Sequence, residues 1–273
     1  MVLIVVMMGL KDDAGNESEG LIFSVTKQSN HALEFDGATK GQKSVADRLE
    51  IGELEGIAIN PTDNFTVSFN IHFDSFSNDN PNLEDAWKNS QRGYQFIIGN
   101  YMGQPSGSGH FSSMLYELDG KLHFLFNKAQ RRDKEVIFDF KTLNKDKLDY
   151  NIYASFDGTT AKIYIDGNEV ADNYIGNIGG IANTAKWRAG NHYDGSLNGN
   201  RVTGDFALDG KLDNILFYNR ALSSEEVNKI QNGGEVTTGI VAKYDFEGSN
   251  PLADKTGNGH DASITNTPTV VKW

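Results

Sequence analysis

A strict alternation of apolar and polar residues is the feature that most constrains this chain. In NFTVSFNIHF (64–73) every second residue is apolar, and the positions between them are polar: Thr66, Ser68, Asn70 and His72. Successive side chains of a β-strand point to opposite faces, so this period of two is typical of a strand with one buried face. KLHFLF (121–126) and NIYASF (151–156) repeat it. The alternation predicts a single core that includes the following residues: Val67, Phe69, Ile71, Phe124, Phe126, Ile163, Ile215 and Phe217.

Asp-Gly pairs separate these apolar runs. There are six of them, at Asp36, Asp119, Asp157, Asp166, Asp194 and Asp209. Such a pair between two apolar runs indicates a tight hairpin, because both residues accept a positive φ. The clearest helical pattern is short, with Ser223 and Glu226 spaced as a capping box and glycines after Asn232. Many short strands and one peripheral helix predict an all-β fold, an antiparallel two-sheet sandwich.

Charge, cysteine content and the N-terminus exclude several classes of protein. The net charge of -12 argues against a nucleic-acid partner, which favours a basic surface. Without cysteine the chain has no disulfide and no thiol nucleophile. Its apolar start, MVLIVVMMGL, is shorter than the roughly 20 residues that span a membrane, so we expect no transmembrane span. We interpret residues 1–19 as an export signal remnant or a disordered leader. The alternatives are a buried first strand and a lipoprotein anchor that has Leu10 in place of its cysteine.

Four segments carry a resemblance to a known family. They are ALEFDG (32–37), NFTVSFNIHF (64–73), YASFDGTTAKIYIDG (153–167) and GKLDNILFYNRALSSEEV (210–227). In sequence and in order the chain resembles the laminin-G-like, concanavalin A-like jelly rolls, over roughly residues 20 to 232. The resemblance implies a jelly-roll sandwich for residues 20–234. Residues 235–273 are too short for a core of their own, so we expect them to form appended strands that pack on the jelly roll.

Asp213 conflicts with the simple alternation, which places its carboxylate on the apolar face with Ile215 and Phe217. A buried charge must be paired or bound to a metal. One solution is calcium, which takes oxygen ligands. The other is hydrogen bonding to backbone N–H groups, with Asp36 serving only its turn. The resemblance implies a structural calcium near both aspartates, so Asp36 and Asp213 are the predicted metal ligands.

The sequence offers binding residues more readily than catalytic ones. It lacks the Glu-x-Asp-x-x-Glu string of the laminarinase-like glucanases and any Gly-x-Ser-x-Gly elbow, so we predict no catalytic residues. Sugars stack on aromatic rings and hydrogen-bond to amides and charged groups. Two loop-rich stretches, 91–104 and 186–200, combine both and supply the candidate ligand-binding residues: Tyr101, Trp187, Arg188, His192 and Tyr193. The alternative is that Trp187 caps the core and Tyr193 packs a turn.

These observations predict a calcium-stabilised, non-catalytic module of an exported bacterial protein, secreted or at the cell surface, whose partner is a glycan or a glycoprotein. A protein-interaction or adhesion module is the competing function. A glycoside hydrolase of the same fold, whose acids are not recognised by spacing, is the third.

Overall fold

The computed structural model describes residues 30–37, 47–58, 60, 63–77, 94–100, 111–128, 131–143, 147–176, 186–191, 207–266 and 268–273. Its strands, in chain order, are β1 (His31–Asp36), β2 (Arg48–Gly52), β3 (Phe65–Phe73), β4 (Gln95–Gly99), β5 (Phe111–Leu118), β6 (Lys121–Lys128), β7 (Arg131–Asp139), β8 (Asp149–Phe156), β9 (Thr160–Ile165), β10 (Asn168–Tyr174), β11 (Trp187–Ala189), β12 (Asp209–Tyr218), β13 (Ile240–Tyr244), β14 (Ser263–Thr265) and β15 (Thr269–Lys272). Helix α1 spans Ser224–Gln231, and a 3-10 turn spans Phe140–Thr142.

The strands form two antiparallel sheets, which confirms the predicted sandwich. Within the described ranges the first sheet has the order β10-β9-β8-β3-β12-β1-β15, with β13 also paired to β12. The second has the order β14-β2-β11-β4-β5-β6-β7. The C-terminal strands join both sheets: β13 pairs with β12, β15 with β1, and β14 with β2.

The core lies between the two sheets. All eight residues that the alternation assigns to the core are buried there, so this prediction is confirmed. Aromatic edges fill the space between the sheets, as in the contact of Phe65 with Phe124, whose ring centroids are 6.0 Å apart. Edge-to-face packing of this kind contributes beyond the burial of area alone.

Of the Asp-Gly pairs that the structure describes, two form two-residue turns and one lies inside a strand. Asp119 and Asp166 have φ of 53° and 51°, and each is followed by a glycine with positive φ in a two-residue turn, between β5 and β6 and between β9 and β10. Asp209 and Gly210 lie inside β12 instead. A Cβ on Gly210 would lie 2.1 Å from the carbonyl oxygen of His72, so glycine permits the close approach of β3 and β12 rather than a turn.

Helix α1 packs on the outer face of the first sheet, the face directed away from the sandwich core. The predicted capping box is present, because the Ser223 hydroxyl accepts from the Glu226 N–H and the Glu226 carboxylate accepts from the Ser223 N–H. Arg220 binds the same carboxylate, with nitrogen-to-oxygen distances of 2.7 and 2.6 Å. Val227 anchors the helix in a small outer cluster with Tyr153, Tyr164, Tyr218 and Leu222.

Candidate functional site

A groove of about 640 Å³ lies on the outer face of the first sheet. Strands β3, β8 and β12 form its floor. One wall consists of the end of α1 and residues 233–240, and the other contains Lys243, Lys255 and Thr256. The floor exists because outward positions of adjacent strands pair across the sheet: Asn70 lies opposite Asn151 on β8 and opposite Asp213 on β12.

Amide and hydroxyl groups dominate the floor. The Gln231 side-chain oxygen accepts from the Asn151 amide and from the Tyr153 hydroxyl, each at 3.2 Å. Both Gln231 and Asn151 line the groove. The Asn70 side chain has no hydrogen-bond partner within the part of the chain that the structure describes. The groove thus offers donors and acceptors side by side.

Ser68 is a polar residue buried at the floor of the groove. Only 2% of it is exposed, and its hydroxyl has no hydrogen-bond partner among the described residues. A buried hydroxyl without a partner costs about 1–3 kcal/mol. The large majority of buried polar side-chain atoms in native proteins have a hydrogen-bond partner. Ser68 lines the groove, but its hydroxyl is covered, so the accessible polar groups of the floor are the partly exposed amides of Asn70, Asn151 and Gln231.

Asp213 lies on the outer face, so its predicted place beside Ile215 and Phe217 is wrong. The pairing of β12 with β3 shifts by one residue between Asp213 and Leu216. Asn214 absorbs this β-bulge with a φ of 48°. As a result Leu212 and Ile215 both point into the core, and Asp213 shares the outer face with the groove residues.

The Asp213 carboxylate is fully buried and holds Asn214 in the groove wall. It accepts from the Asn214 backbone N–H at 2.6 Å and from the Asn214 side-chain amide at 2.8 Å. The Asn30 side chain donates to it at 3.3 Å. Burial, together with the charges of Glu247 and Asp245, raises the pKa of Asp213 to about 7, and the bonds from Asn214 and Asn30 offset part of that rise.

Asp36 and Asp213 do not lie together. Asp36 pairs with Asp209, and Asp213 is four residues further along β12, about 13 Å away. Calcium binds its oxygens at 2.3–2.6 Å, so one ion cannot reach both carboxylates. Asp36 is also exposed. Among the described residues no group of three His, Asp or Glu side chains could hold a metal ion. The predicted pair does not fit a shared calcium site, and calcium stabilisation stays a prediction.

Trp187 lies in the core. Its indole is 1% exposed, it packs edge-on against Phe217 with ring centroids 5.0 Å apart, and its N–H donates to the Ile57 carbonyl at 3.3 Å. It therefore has no face open to a sugar, and the predicted stacking does not fit. Arg188 binds Glu50, with 2.8 Å between Nε and Oε2. Burial alone would raise the Glu50 pKa, but hydrogen bonds and charges from Arg188 and Arg48 outweigh burial, so the Glu50 pKa lies below its ordinary value.

The other predicted ligand-binding residues, Tyr101, His192 and Tyr193, lie outside the described residues. The groove residues, by contrast, were not predicted as a site. The sequence contained part of the information needed to find the groove, because Ser68 and Asn70 occupy polar positions of the alternation in β3. Asn151, Asn214 and Gln231 join them only through strand pairing and helix docking.

The family model of the laminin G type, described as the concanavalin A-like lectin/glucanases superfamily, matches residues 43–228. The chain belongs to this superfamily. The resemblance in the four sequence segments is confirmed, and so is the jelly-roll class. A search of curated proteins gave no match.

Solved structures share the superfamily fold at low sequence identity. A candidate carbohydrate-binding protein of Bacteroides ovatus is 15% identical, with a TM-score of 0.57, and the match covers 94% of this chain and 66% of that protein. A heptameric SAP-like pentraxin of Limulus polyphemus is also 15% identical, with a TM-score of 0.55 over 90% of this chain and 96% of the pentraxin. At this identity the likeness establishes the fold alone.

Proposed function

We propose that this superfamily member is a non-catalytic glycan-binding module and that the groove on the first sheet is its binding site. The observation that carries the proposal is the floor of the groove, where the partly exposed amides of Asn70, Asn151 and Gln231 lie side by side at a sheet. Sites built on strands hold their geometry better than sites on loops.

The chemistry of the floor suits a sugar. A sugar hydroxyl both donates and accepts, and a side-chain amide supplies one donor group and one acceptor group in fixed geometry. The Tyr153 hydroxyl donates its proton to Gln231, so its oxygen adds an acceptor to the floor. The binding of neutral hydroxyls by neutral amides avoids the desolvation of a charge.

The groove supports binding rather than hydrolysis. Glycoside hydrolysis uses two carboxyl groups across the scissile bond, about 5 to 9.5 Å apart. Among the described residues that line the groove, Glu235 supplies the one carboxylate, and it lies on the wall at an exposed position. This distribution favours glycan binding over the hydrolase alternative.

Replacement of Asn70 with alanine tests the site. We expect about a thirtyfold loss of affinity for glycans that bind the wild type, because two hydrogen bonds of about 1 kcal/mol each are removed. Isothermal titration with the hits of a glycan array measures the change. Asn250→Ala is the matched control, since Asn250 is an exposed amide outside the groove. Equal affinities for Asn70→Ala and wild type would contradict the groove as the binding site. A glycan array without hits would contradict glycan binding itself.

We also propose that the protein acts outside the cell, either secreted or at the cell surface, where glycans are presented. Among the described residues no helix has both the length and the apolar character needed to cross a membrane. Protease treatment of intact host cells checks the location. Digestion of the chain, or its recovery from the medium, is expected, and full protection inside the cells would contradict it.

A further inference from the structure

Trp273 presents a partly open indole on the outer face of the first sheet. It is 40% exposed, although it is one of the largest apolar side chains in the protein. Its backbone N–H donates to the Asn30 carbonyl at 2.8 Å, directly after β15, which fixes its position at the sheet. Its ring meets His72 edge-on, with ring centroids 6.4 Å apart and an angle of 83° between the planes.

Fixed polar groups surround this indole. The His72 ring lies between two carboxylates, with 2.8 Å from Nδ1 to Asp149 and 3.3 Å from Nε2 to Asp74. Lys211 lies between Glu34, at 3.4 Å, and Asp74, at 3.8 Å. These side chains are held by one another, so their orientations are set before any ligand arrives.

The indole and the groove lie next to each other on one surface. His72 and Asn70 are two residues apart on the outer face of β3, about 7 Å along the strand. Asn70 belongs to the groove floor, and His72 contacts Trp273. A ligand that extends from the groove along β3 therefore reaches the indole directly.

We propose that Trp273 forms a second sugar-binding subsite, so that the site takes a linear neutral oligosaccharide with one ring in the groove and another stacked on the indole. The proposal rests on glycan binding in the groove. An exposed indole presents an apolar face that suits the C–H face of a sugar ring, and the neighbouring carboxylates accept from its hydroxyls. Three carboxylates (Glu34 and Asp74 beside Lys211, and Asp149 beside His72) disfavour acidic sugars, which would be repelled.

The length of the ligand provides the test. Wild type and Trp273→Ala are titrated with linear oligosaccharides of glucose, mannose, galactose, xylose and N-acetylglucosamine, each from one to six units. We expect Trp273→Ala to bind the longer members of the recognised series about tenfold more weakly while its affinity for the monosaccharide stays unchanged. Trp273→Phe should recover part of the loss, because a ring is restored.

The control is Tyr174→Ala. Tyr174 is the most exposed of the large apolar residues described, at 66%, and it lies on the edge strand β10 beneath Lys134 rather than beside the groove. Its replacement should change no affinity. Equal loss at every length, or no loss at any length, would overturn the second subsite while leaving the groove intact. If no member of the panel binds the wild type, both the subsite and the proposed function fall.

Discussion

Replacement of Trp187 with alanine is expected to lower the free energy of unfolding by about 3–5 kcal/mol. The indole is 1% exposed and reaches from the second sheet to Phe217 and Phe65 on adjacent strands of the first, with centroid distances of 5.0 and 6.2 Å. Its removal leaves a cavity between the sheets and deprives the Ile57 carbonyl of its donor. Urea unfolding followed by circular dichroism measures the loss as a shift of the midpoint.

Two comparisons separate a core role from a binding role for Trp187. Trp187→Phe should lose less stability than Trp187→Ala, because most of the ring volume is kept. Trp273→Ala should change stability by no more than about 0.5 kcal/mol, since its indole is partly open to solvent. A Trp187→Ala protein that is as stable as the wild type but no longer binds glycans would instead support a ligand-binding role for Trp187.

The alternation predicted the core well because a period of two admits one buried face per strand. The turns followed partly from sequence. Asp119 and Asp166 adopt the positive φ that a two-residue hairpin demands, but the same dipeptide at Asp209 lies inside a strand. There glycine is needed because the His72 carbonyl oxygen on the neighbouring strand lies 2.1 Å from where a Cβ of residue 210 would be. Local sequence does not contain that neighbour, so the dipeptide alone could not distinguish the two roles.

The bulge at Asn214 had the largest effect on the interpretation of the sequence. One extra residue in β12 reverses the face of every position before it, which moves Asp213 from the predicted core to the outer face. Asparagine accepts the positive φ, but it does so in many turns as well, so the sequence alone did not mark a bulge. The predicted calcium pair, which rested on the resemblance, is likewise separated by the register of β1 with β12.

The candidate site was less predictable than the core. Ser68 and Asn70 are outward positions of one strand, and such positions are normally solvated surface. They become the floor of a groove only because β8 and β12 add Asn151 and Asn214, and because α1 docks beside them. The pairings of Ser68 and Asn70 with β8 and β12 join residues more than 80 positions apart along the chain. Pairing between distant strands decides them, and no local pattern encodes it.

Two buried carboxyl groups are expected to make the protein less stable as the pH rises. Burial raises the pKa of Glu117 to about 7, although Gly120, Ser77 and Gln95 donate to its carboxylate and offset part of the rise. Burial and nearby charges raise the pKa of Asp213 to about 7. Both values lie above those of the unfolded chain, near 4, so the folded state binds more protons between about pH 4 and pH 7.

The sign of the effect follows from that difference. The stabilising contribution of each group is complete below about pH 4 and is lost as the pH rises through about 7, on the order of 4 kcal/mol for each group. Asp213→Asn cannot ionise, so the decrease in unfolding free energy between pH 5 and pH 8 should be clearly smaller in this variant than in the wild type. Urea unfolding at both pH values measures the decrease.

Asp157→Asn is the control for this comparison. Although partial burial opposes it, hydrogen bonds from Thr160 and Thr159 hold the pKa of Asp157 below its ordinary value, so this carboxyl is ionised throughout the range from pH 5 to pH 8. Its replacement should therefore leave the pH dependence of the wild type unchanged. If Asp213→Asn shows the same decrease as Asp157→Asn, then Asp213 is already ionised at pH 5, and its hydrogen bonds from Asn214 and Asn30 outweigh its burial.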